Sequence, residues 1–156
     1  MSLDSISVQT REKKGFSIST DKLKLDISFI HNWLSKKSYW CPGIPMHLVK
    51  RAIENSLCFG VYNPEGKQVG FGRVITDFTT FAWVTDVFII KKYRGQGLSR
   101  FLMDCALNHP DLKTIRRWLL GTSYAHGLYK KLGFEPLDEP DNFLTIHISN
   151  MYQKKN

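Results

Sequence analysis

The chain is predicted to fold as an α/β protein, a mixed sheet with helices on both faces, and three observations predict it. Three consecutive runs, residues 56–62 (SLCFGVY), 68–76 (QVGFGRVIT) and 81–90 (FAWVTDVFII), read as strands, the first two joined by the turn signal Asn63-Pro64-Glu65-Gly66. Stretches of helical period stand before and after them. The third run passes through a basic turn with two glycines directly into an amphipathic helix, so a hairpin meander gives way to crossover helices.

The elements follow in order. Residues 1–15 are polar and are predicted to be loose. FSIS at 16–19 alternates and reads as a short strand, after which Asp21 can cap a helix. Leu25, Phe29, Ile30, Trp33 and Leu34 recur at helical spacing, and that helix fades near Ser35. Pro42, Gly43 and Pro45 punctuate a break, and Leu48, Val49, Ala52 and Ile53 mark a second helix over 46–57. Beyond the three strands, a helix over 98–108 gathers Leu98, Phe101, Leu102, Cys105 and Ala106 on one face, and Pro110 marks its exit. A strand over 114–120 carries Arg116-Arg117. A short helix over 124–132 closes at Gly133, a glycine just past the last turn being the usual left-handed stop. Residues 134–137 and 143–148 are predicted as the last two strands.

At 156 residues the chain is long enough for one domain with a real core, and its hydrophobic fraction of 42% is that of a globular protein. No apolar run approaches the roughly 20 residues needed to span a bilayer, and the start, MSLDSISVQTREKKGF, lacks a secretory pattern. Cys41, Cys58 and Cys105 are odd in number and far apart, with no metal-ligand spacing, so neither a metal nor a disulfide framework is expected. A reduced, cytoplasmic protein is the simplest expectation, with no membrane partner. The formal charge of +8 includes Lys13, Lys14, Lys91, Lys92, Arg94, Arg100, Lys154 and Lys155. Such a balance suits nucleic acid, anionic lipid or an anionic cofactor. No RNA-recognition or helix-turn-helix signature accompanies it, which disfavours nucleic acid.

Residues 87–100 (VFIIKKYRGQGLSR) are the most informative stretch. A strand, a basic turn with Gly95 and Gly97 and a helix start near Leu98 leave several backbone N–H groups unpaired beside the positive end of a helix dipole, a place suited to phosphate or pyrophosphate. No Gly-Lys-Ser/Thr ends the turn and no third glycine follows, so neither the Walker nor the Rossmann pattern is met.

Arg94, Gly95, Gln96, Gly97, Leu98 and Ser99 resemble the pyrophosphate loop of the GNAT superfamily of acetyl-CoA-dependent N-acyltransferases, Gln/Arg-x-x-Gly-x-Gly/Ala, with Ser99 standing where Gly or Ala is usual. A second stretch, residues 122–134 (TSYAHGLYKKLGF), is similar to the family's Asn-x-x-Ala-x-x-Leu-Tyr-x-Lys-Leu-Gly-Phe through Ala125, Leu128, Tyr129, Lys131, Leu132, Gly133 and Phe134. Thr122 replaces the asparagine that in the family bonds the cofactor arm, and a threonine hydroxyl can partly replace it. The resemblance runs from about Phe16 to Ile148. It is strongest to small, single-domain bacterial members of undefined substrate, through runs such as KKSYW, RRWLL and AHGLYKKLGF.

The resemblance implies a mostly antiparallel sheet, splayed where the cofactor enters. It implies that Val87, Phe88 and Ile89 pair with the pantetheine, that Arg94 to Arg100 hold the pyrophosphate, and that Thr122 and His126 border the cofactor. It also implies that the hydroxyl of Tyr129 faces the sulfur of coenzyme A and acts as the acid.

Acyl transfer to an amine needs an uncharged amine, donors for the developing oxyanion and an acid for the leaving thiolate. Asp86 is an acidic residue inside an apolar strand and must be paired, bonded or open to a cleft, which makes it a candidate base or amine-binding group. His126 is a weaker candidate base, histidine being a residue type suited to proton transfer. Tyr39 and Trp40, on the loop between the first two helices, are candidate acceptor-binding residues, and His31, Arg73 and Asp77 are weaker ones. The expected activity is transfer of acetyl from acetyl-CoA directly to a primary amine, of a small molecule by default. The alternatives are a protein lysine or N-terminal amine as acceptor, or an acyl-CoA sensor without turnover. A homodimer is left open.

Overall fold

The structure, a computed structural model, describes residues 5–154. Among these residues six strands form one sheet in chain order: β1 (Thr10–Lys13), β2 (Phe16–Ser19), β3 (Leu57–Tyr62), β4 (Gln68–Thr76), β5 (Phe81–Ile89) and β6 (Arg117–Leu120). Every neighbouring pair is antiparallel except β5 and β6, which are parallel. Helices α1 (Ile27–Lys37) and α2 (Met46–Glu54) lie between β2 and β3 in the chain; α3 (Leu98–Leu107) is the crossover from β5 to β6, and α4 (His126–Lys131) follows β6. The predicted mixed sheet with helices on both faces is the architecture observed.

Period-two alternation divides the core into two layers. Leu57, Phe59 and Val61 of β3 pack with Leu102, Met103 and Ala106 of α3 and with Tyr129 of α4. Cys58, between them in sequence, turns the other way and joins Phe71, Phe88, Ile30, Leu34, Val49 and Ile53 under α1 and α2. Full burial of each such Leu, Ile or Phe stabilises the fold by about 1.5–3 kcal/mol.

α2 ends at Glu54 rather than 57 and β6 starts at Arg117 rather than 114, and three larger differences from expectation each have a local reason. Residues 10–13, expected to be loose, form β1. TREK has no apolar side chain to signal a strand, and it pairs with β2 through its backbone across the two-residue turn Lys14-Gly15. Both turn residues have positive φ, 51° and 81°, as the tight hairpin turn matching strand twist requires. Asp21 caps only a single 3-10 turn at Lys22–Lys24, and α1 starts later, where the Asp26 carboxylate accepts the N–H of Phe29 at 2.9 Å. Residues 134–137 and 143–148, expected as strands, form none. Their alternation suits a sheet but finds no partner: Pro136 offers no N–H, a 3-10 turn at Pro140–Asn142 diverts the chain, and Leu144 and Ile146 stay almost fully exposed. β6 is correspondingly paired on one side only. Among the described residues no helix is long and apolar enough to cross a membrane, and no group of three or more His, Cys, Asp or Glu is placed to hold a metal.

Past α3, His109 is 2% exposed, and its Nδ1 accepts the N–H of Asp111 at 3.2 Å. The Asp111 carboxylate in turn accepts the N–H and hydroxyl of Ser7 at 2.8 and 2.7 Å, fastening the segment before β1 to the end of α3. Burial pushes the pKa of His109 below its ordinary 6.5, outweighing the Asp111 carboxylate and the Ser7 backbone, which raise it. The unfolded chain therefore binds the proton more readily, so this contribution is complete above pH 6.5 and is lost as pH falls below it. The thermal midpoint is expected to drop between pH 7 and pH 5, and His109→Gln, even if less stable throughout, to flatten that slope. An unchanged slope in the variant assigns the acid sensitivity elsewhere.

Candidate active site

The first part of the site is built where β5 ends. A 3-10 turn at Lys91–Tyr93 leads into Arg94, and Gly95 and Gly97 take the left-handed conformation, φ 77° and 76°. Gly97 caps α3 without any side-chain bond, so the N–H groups of the first helical turn have no partner within the helix. A Cβ at either glycine would meet nothing within 4 Å, so the glycines are needed for backbone conformation and leave the turn open to approach. Arg94 Nε donates to the carbonyl of Ile89 at 2.8 Å, bracing the turn against the end of β5. The β1–β2 hairpin brings Lys13 and Lys14 to the same place, where they line a cavity of about 530 Å³ with Gln96, Gly97 and Arg100. Cationic side chains, unpaired N–H groups and a helix N-terminus of ten residues converge here, an arrangement that suits a pyrophosphate. The contribution of the hairpin lysines was not legible from sequence spacing.

The second part is a gap in the sheet. β5 and β6 pair from Phe81 and Arg117 to Val84 and Leu120, and pairing then stops, so residues 85–89 of β5 have no partner on that side. Ile90 N–H donates to Val69 of β4, and by alternation Phe88 also turns its backbone toward β4, opposite Phe71. The backbone of Val87 and Ile89 is thus the part that faces the gap, with the Ile89 carbonyl taken by Arg94.

The third part is a bulge within β5. Arg73 lies opposite Thr85 and Phe71 opposite Phe88, so β5 carries one residue more than β4 between these pairs. Asp86 occupies the bulge with φ 56°, a left-handed conformation that a non-glycine residue adopts at a cost of about 1–3 kcal/mol. The extra residue reverses the alternation: Ala82 and Val84 face α3, whereas Phe88 joins the α1–α2 layer. The Asp86 carboxylate, 8% exposed, is sent to that layer too. There Oδ2 accepts Arg73 Nε at 2.6 Å and Oδ1 accepts Trp40 Nε1 at 2.8 Å, and Arg73 Nη1 reaches Ser56 Oγ at 2.9 Å. Beneath them lies a cavity of about 130 Å³ lined by Cys41, Val49, Ile53, Phe71 and Tyr152.

Tyr129 supplies the fourth part. It is 9% exposed, and its ring meets Phe134 edge-on at 5.8 Å. Burial, reinforced by the nearby phenols of Tyr39 and Tyr124, pushes its pKa above 10 and keeps the hydroxyl protonated. Tyr39 crosses to this side of the site, its hydroxyl accepting the N–H of Ser123 at 3.1 Å.

A model of the acetyltransferase (GNAT) domain matches residues 54–136, a span holding the bulge, the glycine turn and Tyr129. The chain belongs to the GNAT acetyltransferase family. A Xanthomonas campestris pv. campestris protein assigned to that family has a crystal structure with a TM-score of 0.86 to this one, at 45% identity over 89% of this chain and 97% of that one. A provisionally named acetyltransferase of Gibberella zeae is 29% identical over 86% of this chain and 87% of its own. Glucosamine-6-phosphate N-acetyltransferase of Arabidopsis thaliana, 16% identical over 94% of this chain and 99% of its own, shares the fold with a TM-score of 0.56.

The other residues singled out in this GNAT chain are placed as follows. Thr122 Oγ1 accepts the N–H of Ala125 at 3.1 Å, at the entrance to α4, and His126 is the exposed first residue of that helix. His31 lies outside the site, its Nε2 bonded to the carbonyl of Ile44 at 2.9 Å. Asp77 is taken up by the β4–β5 turn, where the N–H groups of Thr79, Thr80 and Phe81 and the Thr80 hydroxyl hold its carboxyl well below the usual range. Arg73, a weak candidate from sequence, is the partner of Asp86.

Asp86→Ala removes the counter-charge of Arg73 and the acceptor of Trp40, and places alanine at a left-handed position. It is expected to lower stability by about 3 kcal/mol, the scale of breaking a buried ion pair from one side. Asp86→Asn keeps an oxygen for Trp40 and a residue that tolerates the left-handed region, so it should lose less. Urea denaturation of both variants checks this, and equal losses would leave the backbone and the Trp40 bond without a part in stability.

Proposed function

We propose that the protein is an N-acetyltransferase that moves the acetyl group of acetyl-CoA directly onto a primary amine of a small molecule. The observation that carries this reading is the open edge of β5 at Val87 and Ile89, which begins beside the uncapped, basic start of α3. Lys13, Lys14, Arg100 and the N–H groups from Gln96 to Ser99 would hold the pyrophosphate, with Arg94 fixing the turn. The backbone of Val87 and the N–H of Ile89 would pair with the amides of the pantetheine arm, and Thr122 and His126 would border that arm from α4. When bound, acetyl-CoA supplies a thioester, an acyl group open to attack by an uncharged amine.

In this reading Tyr129 gives its proton to the departing sulfur. A thiol has an ordinary pKa of about 8.5, and a phenol held above its own ordinary 10 is protonated whenever the thiolate leaves. Asp86 carries its negative charge beside the path of the amine and orients it. Both carboxylate oxygens already accept donors, so the proton of the ammonium passes to water. A carbon–nitrogen bond forms as the carbon–sulfur bond breaks, and the proton then lost by the acylated nitrogen restores the Tyr129 phenol through solvent. Attack is direct because no thiol is suited to carry the acyl group: burial pushes Cys41 and Cys105 up and Cys58 up to about 12. The chain acts as one domain, and three buried free cysteines suit a reducing cytoplasm.

Acetyl-CoA at 100 times its Kd should stabilise the fold by about 2.7 kcal/mol, read as a rise in thermal midpoint. Gly97→Trp, with its fold intact by circular dichroism, should abolish the rise. Tyr129→Phe should keep the rise and lower kcat about 100-fold. In the parent protein, release of coenzyme A should not fall on the alkaline side until above pH 10, since the Tyr129 pKa is raised from that value. No midpoint shift at millimolar acetyl-CoA sinks the reading, and a shift without turnover of any amine in a broad panel replaces it with a sensor.

A further inference from the structure

Three aromatic rings, Tyr124, Tyr39 and Trp40, lead from beside Tyr129 toward the small cavity beneath Asp86. Tyr39 and Tyr124 lie close enough to Tyr129 to repel its phenolate, and they meet each other edge-on at 5.6 Å. Tyr39 meets Trp40 edge-on at 4.9 Å. Trp40 donates to Asp86 and lines the cavity, and behind it Trp33 stacks on Phe88 at 4.0 Å. Tyr39 and Tyr124 are 51% and 76% exposed, an unusual cost for two adjacent aromatic rings on a surface unless something else covers them. Tyr39 comes from the α1–α2 loop and Tyr124 from the approach to α4, so the rings form a mouth between two elements that only the fold brings together.

Two further features define what such a mouth takes. The cavity that Trp40 lines is apolar over most of its lining, through Leu34, Ile44, Val49, Ile53 and Phe71, and measures about 130 Å³. A wholly apolar cavity of about 150 Å³ takes up benzene, so this one has room for a group of about that size. The one acidic residue lining it, Asp86, is already ion-paired with Arg73. No second carboxylate stands ready there for a second ammonium, so the site has nothing to offer a polyamine or an aminoglycoside.

We infer that the acceptor is a primary monoamine with an aromatic or compact apolar body, its amine turned to Tyr129, its body against the exposed rings of Tyr39 and Tyr124, and its apolar end toward Trp40 and the cavity that Trp40 lines. The inference rests on the transferase reading above and adds the acceptor class. The rings serve twice: their faces attract an incoming ammonium, and their edges and faces pack against the body that carries it.

The test follows coenzyme A release by the full chain with acetyl-CoA and four probes: 2-phenylethylamine, ethanolamine, spermidine and kanamycin. The expected kcat/KM for 2-phenylethylamine is at least tenfold above each of the others. Tyr124→Ala, a change at an exposed side chain, should lower that value about tenfold through KM, leaving kcat and the KM for acetyl-CoA within twofold. Tyr39→Ala should do the same, and Tyr39→Phe, which restores the ring, should recover most of the loss. A preference for spermidine, kanamycin or ethanolamine, or an unchanged KM in Tyr124→Ala, overturns the acceptor class while leaving the transferase reading standing. An absent thermal shift with acetyl-CoA and no thiol release with any probe overturn that reading and this inference together.

Discussion

The site depends on one strained residue. Asp86 holds a left-handed backbone in the middle of β5, and the Arg73 and Trp40 side chains hold Asp86. Without the extra residue, period-two alternation would place Phe88 among the side chains facing α3. It would also turn the backbone of Val87 and Ile89 toward β4, closing the edge that the gap leaves open. The bulge thus settles three things together: which strand atoms are unpaired, which layer receives a carboxylate, and where Phe88 stacks against Trp33. An aspartate suits the position because its short polar side chain tolerates the left-handed region better than other non-glycine residues do.

The crossover helix then separates the site into two chemistries. At the N-terminus of α3 the chain collects cations and unpaired N–H groups, including two lysines delivered by a hairpin far away in sequence. On the α1–α2 side it collects aromatic rings, a mostly apolar cavity and a single carboxylate paired with Arg73. A polyanion is drawn to the first and gains nothing from the second. The parallel pairing of β5 and β6, which ends at Val84 and Leu120, leaves the opening through which the two ends communicate.

The glycine turn was legible in sequence because its requirement is local: two positive φ angles ahead of a helix are met by Gly95 and Gly97 without help from the rest of the fold. Tyr129 was legible through the likeness of its surroundings to a known motif. Asp86 was legible as an anomaly, an acid in an apolar strand, but its bulge was not, since one inserted residue looks the same as ordinary alternation until the partner strand is known. The bond from Trp40 to Asp86 joins residues 46 apart in sequence, and nothing in either neighbourhood announces it. β1 was missed because TREK pairs by backbone alone. The strands expected at 134–137 and 143–148 were read from side chains whose alternation fits a sheet, yet a strand exists only with a partner, and Pro136 and the turn at Pro140–Asn142 withhold one.

The division of roles between Asp86 and Tyr129 follows from their surroundings rather than from residue type. A carboxylate free of donors beside a bound amine would be an obvious proton acceptor. Here its two oxygens are occupied by a guanidinium and an indole N–H, which fix its position and leave neither oxygen without a donor. Tyr129 stands in the opposite setting, buried, with two other phenols near it, and each of these favours the protonated form. One group is held in an ion pair, and the other is a phenol that still carries its proton when a thiolate forms beside it. In the proposed thioester reaction the leaving sulfur would take that proton, with Tyr129 as the proposed acid and Asp86 proposed to hold the amine in line.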